Sequence, residues 1–398
     1  MANITTSSDY NSVAEVLNFD CLTKFFPLRE TRKILRQTGK ASKRVRDLPA
    51  HVMVYYVIAM TIFMGQPYRD VFRELLNGWN GLLKGKSKLK PPSKGSICKA
   101  RIRLGAEPLR EIHNRFVGPV ATKETKGAWF KGWRTVGIDG STLNVADTPG
   151  NEEEFERPKS SRGKSAYPKL RFVSLLETGT RVLFGTQIGP INKTSEKDLA
   201  RKALSFLKPG MLCLADRHYL GYDFLKLALA TGADVLWRAS SVFKLKPEQY
   251  LADGSYLTTI YKSESDRKHK KDGIQVRVVR YRVKGFKDSY RVVTSILDPT
   301  QATAEDIAAL YHERWEIEIA LGELKTRLIG ADIILRSQKP ELVKQEFYGF
   351  LLGYFAVRGI MHEAALQADE DPDRLSFVHS VRVIKRRLPD FAAFSPAA

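Results

Sequence analysis

Cysteine is scarce in this chain: Cys21, Cys98 and Cys213 are scattered over 398 positions. No CxxC or CxxH spacing occurs, which argues against a Cys-type zinc site. So sparse a set also speaks against a disulfide framework and for a reducing compartment. Long apolar runs are missing too. The longest, Val52 to Met64, spans 13 residues, against the roughly 18–20 that a membrane-spanning helix needs. Met1–Tyr10 is polar, carries Asp9 and has no basic residue, so no secretory signal peptide is expected. A P-loop is absent as well. The first glycine it requires falls at Asn80 for Gly85-Lys86-Ser87 and at Pro158 for Gly163-Lys164-Ser165, which sets aside an ATP-driven motor.

Acidic residues are in deficit, and that deficit is informative. Lys and Arg number 65 against 44 Asp and Glu, a net charge of +21 with a pI near 9.8. Such an excess points to a polyanion, nucleic acid before membrane. Hydrophobic residues at 43% are enough for a sizeable core and exclude wholesale disorder.

The texture changes along the chain. Residues 1–125 read as helical, with apolar residues at helical spacing through Val52–Leu76 and Leu104–Phe116. A basic loop, Lys84–Pro92, separates them. It leads into a basic helix capped by Ser93 or Ser96, which would set Lys99, Arg101 and Arg103 against phosphates; a solvated charged face is the alternative. From Trp133 the pattern predicts strands over Thr135–Asp139, Ser141–Val145, Leu170–Glu177 and Arg181–Gly189. A helix over Ser195–Leu207, a strand at Met211–Ala215, a helix at Tyr222–Thr231 and a strand at Ala233–Arg238 follow. That order predicts a mixed α/β sheet, antiparallel first and parallel after. Residues 240–297 carry only strand-like runs and read as a β-rich insertion. Helices are predicted over Thr303–Leu328, Pro340–Gln367 and Phe377–Arg387.

Asp139 and Asp216 each close an apolar run, where a sheet edge opens to solvent and α/β active sites form. Two such tips could share a hard divalent cation. A single aspartate there is more simply a turn or cap. The Thr303 helix adds weight. At 100° per residue Tyr311, Arg314, Glu318 and Lys325 fall at roughly 0°, 300°, 340° and 320°, one narrow stripe. Glu313, Glu316 and Glu323 fall on another face. Glu318 is then the carboxylate flanked by cations and a phenol, as a phosphodiester beside a metal would require. An i,i+4 Arg314–Glu318 pair on a solvated helix is the plain alternative.

The spacing Tyr-x2-Arg-x3-Glu-x6-Lys over Tyr311–Lys325 resembles the signature of the insertion-sequence 4 family of bacterial DDE transposases. Val136–Thr142 resembles that family's first-aspartate segment and Leu212–Tyr222 its second. Arg46-Asp47-Leu48-Pro49 and Ala100–Leu109 resemble its N-terminal region. The similarity runs from about residue 20 to about residue 365.

The resemblance implies a fold and a set of boundaries. A helical N-terminal domain (1–125) would bind the transposon ends. A ribonuclease-H-like mixed-sheet core would begin at 126–239, be interrupted by the β-rich insertion (240–297), resume with the Glu-bearing helix (298–335) and end in a helical region (336–398). It also implies chemistry. Asp139, Asp216 and Glu318 would be the metal-binding triad for two Mg²⁺ ions, with Mn²⁺ as a substitute. Tyr311, Arg314 and Lys325 would contact the cut strand. The enzyme would nick the element ends and join the 3′ ends to target DNA, as a homodimer in a synaptic complex, cytoplasmic and nucleoid-associated. Members that cut through a hairpin park a flipped base on an aromatic ring, for which Trp237 and Trp315 are candidates. A metal-dependent nuclease on the same fold, or a non-catalytic basic DNA-binding protein, are the competing classes.

Overall fold

The computed structural model describes residues 20–43, 48–82, 91–159, 165–282, 289–328 and 334–387. The basic residues Lys84–Lys90, the pair Arg46-Asp47 and the N-terminal Met1–Tyr10 lie outside them.

Six helices open the described chain: α1 (Asp20–Phe25), α2 (Leu28–Gln37), α3 (Ala50–Ile62), α4 (Tyr68–Leu82), α5 (Lys94–Leu104) and α6 (Glu107–Phe116). The helical spacing read through Val52–Leu76 divides into two helices, because Gly65 takes a positive φ of 91° and Pro67 follows it, a pairing that ends a helix. α3 is apolar on all sides, and every residue from Val52 to Ile62 is buried, the signature of an interior helix. Among the described residues no helix is long and apolar enough to cross a membrane.

What buries α3 is the longest helix of the chain, α13, defined below. Gly349 and Gly353, one turn apart on α13, form the crossing point. A Cβ on Gly349 would sit 2.9 Å from Val57 Cγ1, and one on Gly353 would sit 2.5 Å from Thr61 Oγ1. Only glycine allows so close an approach.

The sheet has ten strands among the described residues. They are β1 (Trp129–Phe130), β2 (Trp133–Asn144), β3 (Lys169–Glu177), β4 (Val182–Pro190), β5 (Met211–Ala215), β6 (Asp234–Arg238), β7 (Gln249–Tyr250), β8 (Tyr256–Ile260), β9 (Ile274–Arg282) and β10 (Ser289–Thr294). Their order is β4-β3-β2-β5-β6-β10-β9-β8-β7, with β1 beside β2. β2, β3 and β4 pair antiparallel, and β5 joins β2 and β6 in parallel. This is the expected mixed sheet. The insertion strands extend it: β10 pairs antiparallel with β6, so residues 240–297 lengthen the sheet at one side.

Helices α7 (Pro149–Phe155), α8 (Glu196–Ala203), α9 (Tyr222–Leu229) and α10 (Glu264–Lys268) connect the strands. α8 begins at a capping box in which Ser195 and Asp198 satisfy each other's backbone N–H groups. The sheet is covered on both faces. Cys213, Ala215, Val235 and Trp237 join the large core shared with α3 and α13, whereas Leu212, Leu214 and Leu236 join a smaller core with Ile307 and Leu310.

The expected Thr303–Leu328 helix has its Thr303 cap but is not uniformly wound. α11 (Ala304–Leu310) tightens into a 3₁₀ turn (Tyr311–Arg314), relaxes into α12 (Trp315–Gly322), and widens into a π turn (Glu323–Leu328). A constant 100° step therefore does not hold along it, and changes of winding of this kind occur often at functional sites. α13 (Pro340–Gln367) and α14 (Phe377–Arg387) complete the chain as described.

Candidate active site

The site forms where β5 stops and β2 does not. Gly137 of β2 pairs in parallel with Leu214 of β5, so Asp139, within β2, and Asp216, one residue past the end of β5, each lie two residues beyond that pair. Asp139 does not end its strand, as the sequence suggested. β2 continues to Asn144 against β3, and Asp139 is the point at which it loses β5 as a neighbour.

Asp139 accepts a hydrogen bond from the Gly140 N–H at 2.8 Å. Its carboxyl is nonetheless pushed up to about 6. Burial is the main cause, partly opposed by that N–H and by Arg314, and reinforced by Glu196 and Asp216. Asp216 is half-buried and accepts the His218 N–H at 2.6 Å.

Glu196 is a fourth carboxylate that no spacing in the sequence flagged. It stands at the start of α8 and lies over Gly140, where a Cβ would be 2.6 Å from its Cδ. Tyr219 is buried and donates its hydroxyl to Glu196 Oε1 at 2.7 Å. Burial, then Glu196, Asp139 and Asp216, drive the Tyr219 pKa upward, so the phenol keeps its proton.

The broken helix crosses the strand tips. Ile317 packs on Gly137, 3.5 Å from where a Cβ would stand. Tyr311 is 6% exposed and donates its hydroxyl to the Ala215 carbonyl at 3.1 Å, pinning the helix to the residue before Asp216. A buried ring of this kind positions β5 and presents no face to a nucleotide. Arg314 Nη1 lies 2.9 Å from Glu318 Oε1, while Arg314 Nε is buried and has no partner. Lys325 Nζ donates to Ser141 Oγ at 3.0 Å, two residues past Asp139 on the same strand. The expected group of Asp139, Asp216, Tyr311, Arg314, Glu318 and Lys325 is thus gathered around one strand edge. Among the described residues, however, no three acidic, His or Cys side chains converge closely enough to hold a metal ion; Glu318 is drawn to Arg314.

The other expected residues divide. Lys99 and Arg103 are exposed on α5. Arg101 is not a surface clamp: it is 1% exposed and donates to Gln345 Oε1 at 2.8 Å, the Tyr68 hydroxyl at 2.9 Å and Ser337 Oγ at 3.1 Å. It lies in the buried stripe Ile97, Ala100, Arg101, Leu104, so the helix turns it toward α13. Trp237 is fully buried and in this structure cannot receive a base. Trp315 is 54% exposed, with the Arg314 guanidinium 4.8 Å from its ring centre.

Known proteins share these segments. Residues 16–114 match the insertion element 4 transposase N-terminal family, and residues 134–355 match the transposase DDE domain. The chain is 28% identical over 374 residues to the transposase InsG for insertion sequence element IS4 of Escherichia coli (strain K12), covering 92% of this chain and 81% of that one. It is also 24% identical over 213 residues to the putative transposase InsZ of the same organism, covering 53% and 68%. A DDE domain implies a ribonuclease-H-like fold, an enzyme acting on DNA and the general use of divalent metal, and the mixed sheet accords with that fold. With both segments matched and the signature residues gathered at one strand edge, the chain belongs to the IS4 family of DDE transposases.

Proposed function

We propose that this protein binds the ends of its own insertion element, cleaves there by metal-dependent phosphoryl transfer, and joins the 3′ ends to target DNA. The observation that carries the reading is the gathering of Asp139 on β2 and Asp216 just past the parallel neighbour β5 with Glu318, Arg314 and Lys325 on the helix pinned across them.

The donor set fits a hard divalent cation. Asp139, Asp216 and Glu318 offer only carboxylate oxygens, which Mg²⁺ prefers. The half-buried Asp139 carboxyl, raised first by its partial burial and further by Glu196 and Asp216, is a group short of positive charge. Mg²⁺ bound by these three residues would lower the pKa of the attacking water or 3′-hydroxyl and stabilise the leaving oxygen.

The chain's own groups do the rest by position and charge. Glu318 is free to turn from Arg314, because it is exposed and its pairing is a single i,i+4 contact. Arg314, whose Nε already lacks an acceptor, then presents donors to a non-bridging phosphate oxygen, a geometry guanidinium suits. Lys325 adds a point charge beside Ser141. Tyr311 fixes the Ala215 carbonyl and with it the direction of Asp216. Attack is in line on phosphorus, so no side chain becomes covalently bound.

Residues 1–125 are read as the end-binding region, with Lys99 and Arg103 on phosphates, residues 126–239 and 298–335 as the catalytic core, and residues 336–398 as its helical support. A homodimer would bring two ends together, in the compartment that holds the chromosome.

The test is incubation of the purified protein with Mg²⁺ and a plasmid carrying the element ends, scored for nicks and for joined 3′ ends. Asp139→Asn, Asp216→Asn and Glu318→Gln should each cut the rate by at least about 10²–10³-fold, as losses in a charge-stabilising site do, while DNA binding persists. Near-parental cleavage by Asp216→Asn would overturn the triad. Cleavage without joined product would reduce the function to that of a nuclease.

A further inference from the structure

The strand tips that carry the two aspartates are held from both faces of the sheet. On β2, Gly137, Asp139 and Ser141 point to one face and Gly140 to the other, as alternation along a strand requires. The signature helix takes the first face, with Ile317 on Gly137 and Lys325 on Ser141. Glu196 takes the second. A Cβ on Gly140 would stand 2.6 Å from its Cδ and 2.9 Å from its Oε2, so the missing side chain is what admits the carboxylate next to Asp139. The capping box of Ser195 and Asp198 fixes the start of α8 and with it the backbone of Glu196.

β5 shows the same division. Tyr311 shares a core with Leu212 and Leu214, whereas Tyr219 joins the core that takes Cys213 and Ala215. Asp216 opens a tight turn that Tyr219 closes: the Asp216 carbonyl accepts the Tyr219 N–H at 3.2 Å, and Asp216 Oδ1 accepts the His218 N–H at 2.6 Å. The Tyr219 side chain is anchored by packing, its ring centre 5.5 Å from that of Phe224, which lies 5.4 Å from that of Trp237. Its hydroxyl donates to Glu196 Oε1 at 2.7 Å. A hydrogen bond to an ionised acceptor is among the stronger ones, and burial together with Glu196 keeps the phenol protonated as the donor.

We propose that the Tyr219–Glu196 hydrogen bond is a positioning device that sets the separation of Asp139 and Asp216. Glu196 abuts the strand of the first at Gly140, and Tyr219 closes the turn that begins at the second. Both act through the placement of the aspartates and not by contact with the reacting groups. Tyr311 fixes the residue before Asp216 from one face, and Tyr219 fixes the turn after it from the other. The inference rests on the reading of Asp139 and Asp216 as metal ligands.

The test is titration of the full chain with Mn²⁺, the free ion being read by electron paramagnetic resonance. Tyr219→Phe and Glu196→Ala should each raise the concentration for half-occupancy by about tenfold, the lower end of what loss of an outer partner costs a metal site. The double variant should do no more than either alone, because both remove one bond. Glu196→Gln should shift it by less than about threefold, since the amide oxygen still accepts the hydroxyl. Tyr256→Phe, which removes another buried tyrosine hydroxyl, one that donates to the Leu245 carbonyl at 3.2 Å, should leave Mn²⁺ binding unchanged whatever it does to melting. In nicking of a plasmid with the element ends, Tyr219→Phe should lose more at limiting than at saturating Mg²⁺. Parental Mn²⁺ binding by Tyr219→Phe, where Asp216→Asn has lost the ion, would overturn the positioning role and leave the triad standing. Loss of the ion by Glu196→Gln as complete as by Asp216→Asn would make Glu196 a ligand and overturn it as well. Parental Mn²⁺ binding by Asp216→Asn would remove the triad reading itself, and this role with it.

Discussion

The two faces of the helical run from Ala304 to Leu328 use the same side-chain chemistry to opposite ends. On the face toward the strand tips, Glu318 is 42% exposed and holds one arginine at 2.9 Å, and that arginine has a buried donor without a partner. On the far side, Glu323 is 2% exposed and pairs with the buried Arg358, with Tyr354 at 3.3 Å and Arg181 at 3.5 Å. Arg181 also pairs with Glu316 and lies 3.2 Å from Asp373. Burial outweighs the pull of Arg181 on Asp373, whose carboxyl is raised to about 7. One face is therefore knotted to the rest of the fold, and the other is left open for a ligand. Glu316 and Glu323, which the helical step places on another face from Glu318, anchor the helix through Arg181 and Arg358.

The sharpest way to break this comparison is to remove one carboxylate from each face. Glu323→Ala strands Arg358 as a buried charge and should cost about 3–5 kcal/mol, enough to threaten folding. Glu318→Ala removes an exposed pair and should cost about 0–1 kcal/mol while abolishing strand cleavage. Urea denaturation and a nicking assay on the same preparations separate the two. Equal losses of stability would show that the faces do not differ as described.

Arg101 and its helix neighbours repeat the contrast. Arg101→Ala should destabilise by roughly 1.5–3 kcal/mol through the removal of charged hydrogen bonds, with Gln345 and Ser337 losing their guanidinium partner. Lys99→Ala/Arg103→Ala should leave stability within about 0.5 kcal/mol and lower the salt slope of DNA binding by about 1.8. Arg101→Ala with normal stability but a reduced slope would reverse the assignment.

How far the sequence reached depended on whether a feature is local. β5 was readable because a short apolar run buried on both faces needs no partner information. The stretches Pro340–Gln367 and Phe377–Arg387 were readable from their helical spacing. The winding of the signature helix was not. It is set by partners remote in sequence, the Ala215 carbonyl for Tyr311 and Arg358 for Glu323. Glu196 was invisible for the same reason, since its approach depends on the missing Cβ of Gly140 across the sheet. Arg101 differs: it was expected on phosphates for its charge, although Ile97, Ala100 and Leu104 frame it at i, i+3, i+4, i+7 spacing, a periodicity that places it on the inward face.

Protons sharpen the comparison further. Asp139 is held at about 6 in the fold against an ordinary 3.8, so between those values the native state binds a proton more tightly than the unfolded chain. Its contribution to stability is present below about pH 4 and is lost as pH rises through about 6. Asp139→Asn should therefore raise stability at pH 7 by about 1–2 kcal/mol, a shift of two units reduced for partial exposure, and flatten the profile between pH 4 and 6. Unfolding midpoints measured across that window check it; a variant less stable than the parent at pH 7 would mean that the open face is not charge-strained.

The smallest effect belongs to Trp315, a large aromatic exposed three residues before Glu318. Its ring centre lies 4.8 Å from the Arg314 guanidinium, so it holds that arginine by a contact separate from the Glu318 pair. A contact of this kind at an exposed position is worth about 0.5–1 kcal/mol. Trp315→Ala should thus leave folding within about 0.5 kcal/mol and weaken joining of pre-nicked ends by about two- to fivefold, with Trp315→Phe recovering most of it. A stacked base would raise the stakes, since base–aromatic contacts are worth about 1–3 kcal/mol each. A loss well beyond tenfold with Ala, seen on substrates that expose an unpaired base and absent on those that do not, would make Trp315 a base receiver. Parental joining by Trp315→Ala would leave Glu318 as the group that steers Arg314, and the open face would then be set by a single ion pair.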